Sequence, residues 1–448
     1  MEYKTLTTND KAAKKSTEVG FMTFNEVETI IQSRDSKKLK EVIEDGRVSD
    51  INMCSDDFRR SSLLMIACKS GFIGCARVLL DHIANINYRN YYDDSVLKSA
   101  CLSRNLDMFR LLLERGITIN DKVISDLFRS DEIVLNTEIA TILVGLIQDV
   151  NSGNFLYYAS QVGNAIIVQL LLEHGALSTP DGYGALEPAA RKGHLEVVKL
   201  LLGWNTGAEC ISQKGVTSAL VSASRLGCIE VVRCFIEHKI GVAALTAALC
   251  EAVDKRHVEL AEVLIDSGAD LNVNSASHRS PLISACKQGS VDMVRLLLAR
   301  GGDVNAVDSV GETPLSAALP HPEVLKMLLK HEANPNIPFP NGSTALLEVV
   351  WNPSNNYMEA LTVLLEHGAD PNLADATTGK TPLMVAAIKI YIKYVIPLLE
   401  RGADVTQVNR EGKTVLDMLG QGPKYYKVVE LCTGYIDSNK PGATPLLK

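Results

Sequence analysis

The chain has 448 residues, 46% of them hydrophobic and 22% charged, with a net charge of −8. This balance excludes a largely disordered, collagen-like or supercharged chain. An acidic chain also lacks the basic footprint of a general nucleic-acid binder. Aromatics are only 5%, so the core must be built mainly from Leu, Ile, Val and Ala, as in small helices stacked closely.

Taken from the N-terminus, Met1 to Gly20 is polar, carries Lys4, Lys11, Lys14 and Lys15, and has no apolar run. Residues 1–21 are therefore expected to form a disordered tail and not a secretory signal. Residues 22–53 place Phe24, Val27, Ile30, Ile31, Leu39, Val42 and Ile43 at the spacing of a shortened helix pair. Such a unit suits the end of a repeat array, which needs a polar outer face.

From residue 54 the chain repeats itself. Leu64-Met65-Ile66-Ala67-Cys68-Lys69-Ser70-Gly71 returns as Leu186–Gly193, Leu220–Gly227 and Leu282–Gly289. The anchors are Ala67, Ala100, Ala159, Ala189, Ala223, Ala252, Ala285, Ala318 and Ala386. The steps from 67 to 100, 252 to 285 and 285 to 318 are each 33 residues. An apolar ridge follows each anchor, as in Val78-Leu79-Leu80 and Leu296-Leu297-Leu298. A Gly-Ala-Asp segment then closes many units, as in Gly268-Ala269-Asp270 and Gly368-Ala369-Asp370. The uncharged stretch Val150–Leu172 is interrupted by Asn151, Ser152, Gly153, Asn154, Gln161, Gly163 and Asn164. These are residues a bilayer span would avoid, and no membrane span is expected there.

Several units depart from the pattern. Residues 121–151 lack the Gly stop. Residues 337–372 carry Asn352, Pro353, Ser354, Asn355 and Asn356 between their helices. Residues 410–435 are interrupted at Gly420, Gly422 and Pro423. Stacking is expected to be least regular at 121–151 and at Asn352–Asn356, and most regular over 184–335. Residues 436–448, ending Gly442-Ala443-Thr444-Pro445-Leu446-Leu447-Lys448, read as the opening of a further repeat cut inside its first helix. The expectation is that the sequence is part of a longer natural chain or a partial gene model.

Thr313-Pro314-Leu315-Ser316-Ala317-Ala318, Thr381-Pro382-Leu383-Met384-Val385-Ala386 and Gly193-His194-Leu195-Glu196-Val197-Val198-Lys199-Leu200-Leu201-Leu202 resemble the ankyrin-repeat family. The resemblance covers nearly all of 22–448. It implies an all-α solenoid of stacked antiparallel helix pairs with β-hairpin-like finger turns. Residues 54–435 would hold about 11 repeats. The residues fit this physically. Thr caps a helix and Pro suits its first turn. Ala allows close approach, and Gly ends the helix in the left-handed region. One unit cannot bury its apolar face alone, but a stack can.

Catalytic motifs are missing. Gly379-Lys380-Thr381 resembles the end of a phosphate loop, but Ala374 replaces its first Gly, so it reads as a finger tip. No C-x-x-C pair links the ten cysteines, which sit mostly among apolar neighbours and suit a reducing compartment, the cytoplasm or else the nucleus. His82, His174, His238, His331 and His367 all end second helices and read as caps, while His194 and His257, beside first-helix stops, read as structural. Asp270, Asp303, Asp370 and Asp404 lie about one repeat apart and read as local turn caps rather than a calcium site. Asn341-Gly342-Ser343 fits a glycosylation sequon but reads as turn chemistry. No catalytic residue, metal or cofactor is expected.

What the family resemblance implies is protein binding without catalysis, through the concave first-helix face and the finger turns. Two residues after an anchor come Lys69, Arg191, Arg225 and Lys287, with Lys192 and Lys255 one place further on. This basic stripe, broken at Gln161, Pro320 and Ile388, is a candidate receiver for an acidic or phosphorylated partner segment. Asp181, Tyr183, Asp308 and Asn341 are the finger candidates. The expectation is a monomeric scaffold or adaptor that binds other proteins and no nucleic acid. The alternative is the recognition arm of a larger kinase, ubiquitin ligase or ion channel.

Overall fold

The computed structural model describes residues 20–131, 135–177, 184–204, 213–273, 280–352, 355–420 and 422–438. The chain divides into two compact units, Met1–Val216 and Thr217–Lys448. The tail expected at 1–21 and the truncated repeat expected at 436–448 fall almost wholly outside the described residues.

In the N-terminal unit, helices come in pairs: Phe24–Gln32 with Ser36–Glu44, Leu63–Lys69 with Ile73–Asp81, and Val96–Leu102 with Leu106–Glu114. Then follow Asp121–Arg129 with Thr137–Gly145, Phe155–Val162 with Ala165–Glu173, and Leu186–Lys192 with Leu195–Trp204. The C-terminal unit begins within Gln213–Arg225 and continues through Ile229–Glu237, Val242–Asp254 and Val258–Asp266. After them come Pro281–Lys287 with Val291–Ala299, Pro314–Ala317 with Pro322–Lys330, and Ala345–Trp351 with Asn355–Glu366. Pro382–Ile388 with Ile392–Glu400, and Val415–Met418 with Tyr426–Ser438, close it. Among the described residues there is no strand. The fingers contribute two isolated antiparallel bridges, Cys54–Ser62 and Arg89–Ser95.

The helix starts follow from hydroxyl and carboxamide caps. Ser62 accepts from Met65 N, Thr381 from Met384 N, and Thr313 from Ser316 N ahead of Pro314. Each satisfies an amide that the first turn leaves without a partner. The repeat then decides what is buried. All nine anchor alanines are fully enclosed, where helices of neighbouring repeats leave no room for a larger side chain. Of each ridge, the central leucine is the deeply buried one: Leu79, Leu112, Leu171, Leu264 and Leu297 are at most 1% exposed.

The first-helix stop does two jobs. Gly163 and Gly289 hold φ of +85° and +68°, a region that costs an L side chain about 1–2 kcal/mol. A Cβ on them would also lie 2.4 Å from His194 Nδ1 and 2.5 Å from His321 Nδ1. Each imidazole lies over the preceding repeat's glycine, with Nε2 3.1 Å from the Gln161 and Lys287 carbonyls. His257 repeats the arrangement with Gly227 and the Arg225 carbonyl, at 3.2 Å. The structural role read for His194 and His257 is thus a bond between repeats.

The division between the two units, at 216/217, lies inside the block 184–335 expected to be most regular, of which residues 205–212 and 274–279 lie outside the described residues. The irregular unit 121–151 does form a helix pair, and its first helix ends at Ser130 with an extended backbone in place of a left-handed glycine. The uncharged stretch 150–172 is two helices broken at Gly163.

Two outcomes follow for stability. Leu297→Ala should cost about 2–5 kcal/mol and raise hydrogen exchange around 280–300 more than at the ends, because repeats couple to their neighbours. Gly289→Ala should destabilise through both φ and the imidazole clash. In a His321→Ala background the clash is gone and the φ cost remains, so a thermal-denaturation double-mutant cycle should show coupling between the two sites.

Candidate interaction surface

The polar groups that could suggest chemistry are used to hold the repeats. His82, His174, His238, His331 and His367 each set Nδ1 2.8–2.9 Å from the carbonyl four residues earlier. They close the last turn of the second helix, as their shared position predicts. Asp270, Asp303, Asp370 and Asp404 each accept the backbone N–H two residues on, at 2.8–2.9 Å. They are turn caps, and among the described residues no three His, Cys, Asp or Glu side chains gather as a metal site. Burial pushes the Cys68 and Cys101 thiols up to about 12, so neither is a thiolate nucleophile at neutral pH. The nine described cysteines are free thiols. Cys210 lies outside the described residues.

The phosphate-loop look-alike is a finger. Gly379 holds φ +72°, Asp375 accepts from the Thr378 hydroxyl at 2.6 Å, and Thr381 caps the next helix. Asn341 likewise serves its turn, accepting from Ser343 N at 3.0 Å. Its side-chain amide also donates to Glu348 Oε1 at 2.9 Å.

The basic stripe divides between the units, with Lys69, Arg191 and Lys192 in the first and Arg225, Lys255 and Lys287 in the second. All six are exposed, as expected, yet three already face acids. Arg225 makes a bidentate pair with Glu251, Nε–Oε2 2.9 Å and Nη2–Oε1 3.0 Å. Arg191 Nε lies 3.7 Å from Glu187 and Lys287 Nζ 3.5 Å from Glu312. The bidentate contact foreseen for a partner is therefore filled from within the chain at Arg225. Lys69, Lys192 and Lys255 make no ion pair among the described residues.

The finger candidates fare unequally. Asp181 and Tyr183 lie outside the described residues. Asp308 is 7% exposed, and its Oδ1 accepts from Val310 N at 2.9 Å and Glu312 N at 2.8 Å. It builds its finger and is too enclosed to meet a partner. Asn341 is exposed.

Sequence reasoning missed a cluster of exposed aromatics. Phe58, Tyr91 and Tyr92, on successive fingers of the N-terminal unit, are 69%, 77% and 57% exposed. Phe58 and Tyr92 meet edge to face at 6.1 Å, Tyr91 and Tyr92 at 5.8 Å. The fingers beneath are joined by Tyr91 N donating to Arg59 O (3.1 Å) and Tyr88 Oη to Arg60 O (2.7 Å). Tyr92 also walls a cleft of about 340 Å³ whose other residues include Arg89, Lys98, Asp126 and Arg129. The available signal was a pair of adjacent tyrosines, Tyr91-Tyr92, at one finger tip, one repeat after Phe58.

Comparison with known proteins agrees with this architecture. Ankyrin repeats match residues 29–123, 133–214 and 249–339, and a further ankyrin repeat matches 341–376. These segments make up more than half of the chain, which belongs to the ankyrin-repeat family, an all-α protein-interaction fold. The chain is similar to the E3 ubiquitin-protein ligase XBAT32 of Arabidopsis thaliana, 32% identical over 45% of this chain and 40% of that protein. It is also similar to the ankyrin repeat and KH domain-containing protein mask-1 of Caenorhabditis elegans, 28% identical over 55% of this chain and 8% of that protein. The chain thus spans less than half the length of either relative. A solved ankyrin repeat domain from Acinetobacter baumannii is 32% identical over 41% of this chain and 98% of its own, with a TM-score of 0.39.

Acid should loosen the last fingers. The Thr406 hydroxyl and N–H hold the Asp404 carboxyl below its ordinary value. Such a group contributes stability that is present above its unfolded value, about 3.9, and is lost as pH falls through the folded one. Thermal midpoints measured as pH is lowered from 5 to 3 (about the carboxylate range) should fall. Asp404→Asn should start lower at pH 5 and show a shallower fall.

Proposed function

We propose that the chain is a non-enzymatic protein-interaction scaffold or adaptor. It would recognise partner proteins through its first-helix face and finger turns. The observation that carries this reading is the fingertip cluster of Phe58, Tyr91 and Tyr92. Three rings are held in water on well-bonded turns; aromatic residues are enriched in interface cores, and tyrosine is enriched where binding energy concentrates. The acidic or phosphorylated segment expected from the stripe retains Lys69, Lys192 and Lys255 as unpaired cations. Compact ammonium groups select geometry less sharply than a free guanidinium, so the aromatic tips carry the proposal. The working location is a reducing one, the cytoplasm or nucleus.

A second reading makes the array the recognition arm of a larger enzyme or channel. Similarity to a ubiquitin ligase and to a KH-domain protein, each much longer than the matched segment, supports it. Transcripts reading through Lys448 into a catalytic or channel domain would bear it out, and a native stop codon there would remove it.

The test of the scaffold reading is affinity capture from a lysate of the source organism with the intact chain as bait. The Phe58→Ala/Tyr91→Ala/Tyr92→Ala variant should keep its melting temperature, since all three rings are exposed, and lose captured proteins about tenfold or more. An unchanged set of captured proteins would count against the fingertip surface.

A further inference from the structure

Outside the fingertip cluster, convergent chemistry lies in a groove of the C-terminal unit. A groove of about 470 Å³ opens in the C-terminal unit between two fingers and the first helices behind them. Its apolar walls are Val310 and Pro340, both exposed, half-buried Phe339 and Tyr357, and buried Leu319. Apolar walls with several placed polar groups give it the make-up of a side-chain pocket.

The polar groups are acids. Glu348 sits on the helix Ala345–Trp351, whose start is fixed by the Thr344 cap at Leu347 N. Its Oε1 accepts from Asn341 Nδ2 at 2.9 Å and its Oε2 from Asn352 Nδ2 at 3.5 Å. Both donors are neutral amides. They orient the carboxylate and leave its charge in place. Glu312 contributes a second carboxylate, 3.5 Å from Lys287. The lysine of the next repeat, Lys389, is held on the Trp351 carbonyl at 2.9 Å and over the indole at 4.6 Å. The groove therefore sets two carboxylates against one paired lysine, with ring faces beside them.

We infer that this groove receives a cationic side chain, arginine in preference to lysine, from an extended segment of a partner protein. The positive charge would complement Glu348, which has lone pairs beyond those its two amides use. A planar guanidinium can meet a carboxylate through two N–H groups while lying on the Phe339 or Tyr357 ring, which an ammonium cannot do. Asn341 acts here as a positioning residue for Glu348. The inference rests on the protein-recognition reading but concerns other residues, in the other unit.

The probe is a phage-displayed random-peptide library panned on the full chain. Recovered peptides are then synthesised with arginine and with its neutral isostere citrulline. Binding is read by fluorescence polarisation to the wild type, Glu348→Gln, Tyr357→Ala and the fingertip triple variant. The expected result is enrichment of arginine and an affinity loss of about tenfold on change to citrulline. Glu348→Gln should lose affinity for the arginine peptide by a similar factor, no longer distinguish the two peptides, and lose the salt dependence seen in the wild type. Peptides with no preference for a cation, or equal binding of citrulline, would overturn the inference. So would arginine peptides that bind a folded Glu348→Gln chain unchanged, and in that case peptide recognition itself would stand. Recovery of no peptide at all would remove both. Self-association of the wild type in sedimentation that Glu348→Gln abolishes would assign the groove to a second copy of the chain instead.

Discussion

A carboxamide in one finger, reaching the backbone of the next, ties the repeats together outside their apolar contacts. In the C-terminal unit Asn272, Asn305, Asn336 and Asn372 each accept a backbone N–H from the following finger, at 2.7–3.0 Å. Each Nδ2 also lies 3.1–3.4 Å from a carbonyl oxygen at the end of the next second helix. With both ends of the amide used, the bond fixes the spacing as well as the contact. One such bond contributes only about 0.5–1.5 kcal/mol net, yet it recurs at four successive steps, from Asn272 to Asp404, and an irregular step elsewhere is visible through its loss. In the N-terminal unit Asn52 and Asn87 reach Asn85 N and Thr118 N. Asn120, one repeat after Asn87, instead turns its Oδ1 to Val123 N and caps its own helix. The helix that Asn120 caps is the one that ends at Ser130 without a glycine stop, so the two departures sit at opposite ends of one helix.

The parts legible in the sequence are those that depend on period. A buried alanine every 33 residues, a hydroxyl cap before an apolar run and a histidine at a helix end have one structural use each, and the residue type alone reveals it. Left-handed stops were legible only where glycine marks them. Arg34, Arg104, Arg256 and Ile390 occupy the same stop with φ of +55° to +62°. There the repeat geometry sets the backbone, and stacking offsets a cost that a β-branched residue such as Ile390 bears most heavily. Asp308 misled for a related reason. A carboxylate in a polar turn reads as exposed, whereas two N–H groups of its own finger draw it inward.

What the sequence hid most completely was pairing across repeats. Arg225 and Glu251 are 26 residues apart, and neither position announces the other. Glu251 precedes the anchor Ala252 and Arg225 follows the anchor Ala223 by two, so stacking brings them side by side. Counting cations at one repeat position therefore overstates the charge a partner would meet, because the acids that neutralise them sit at other positions, in the next repeat for Arg225 and Lys287 and one turn earlier for Arg191. Exposed pairs of this kind contribute about 0–1 kcal/mol, so their consequence is for recognition more than for stability. A paired guanidinium gives a partner's carboxylate little unless Glu251 is displaced. A partner's arginine meets the opposite situation at Glu348, where the neighbours are amides and rings and no cation must first be moved. Selectivity on this fold is thus decided by which charges the stack leaves without a counter-ion, and that is a property of neighbouring repeats taken together.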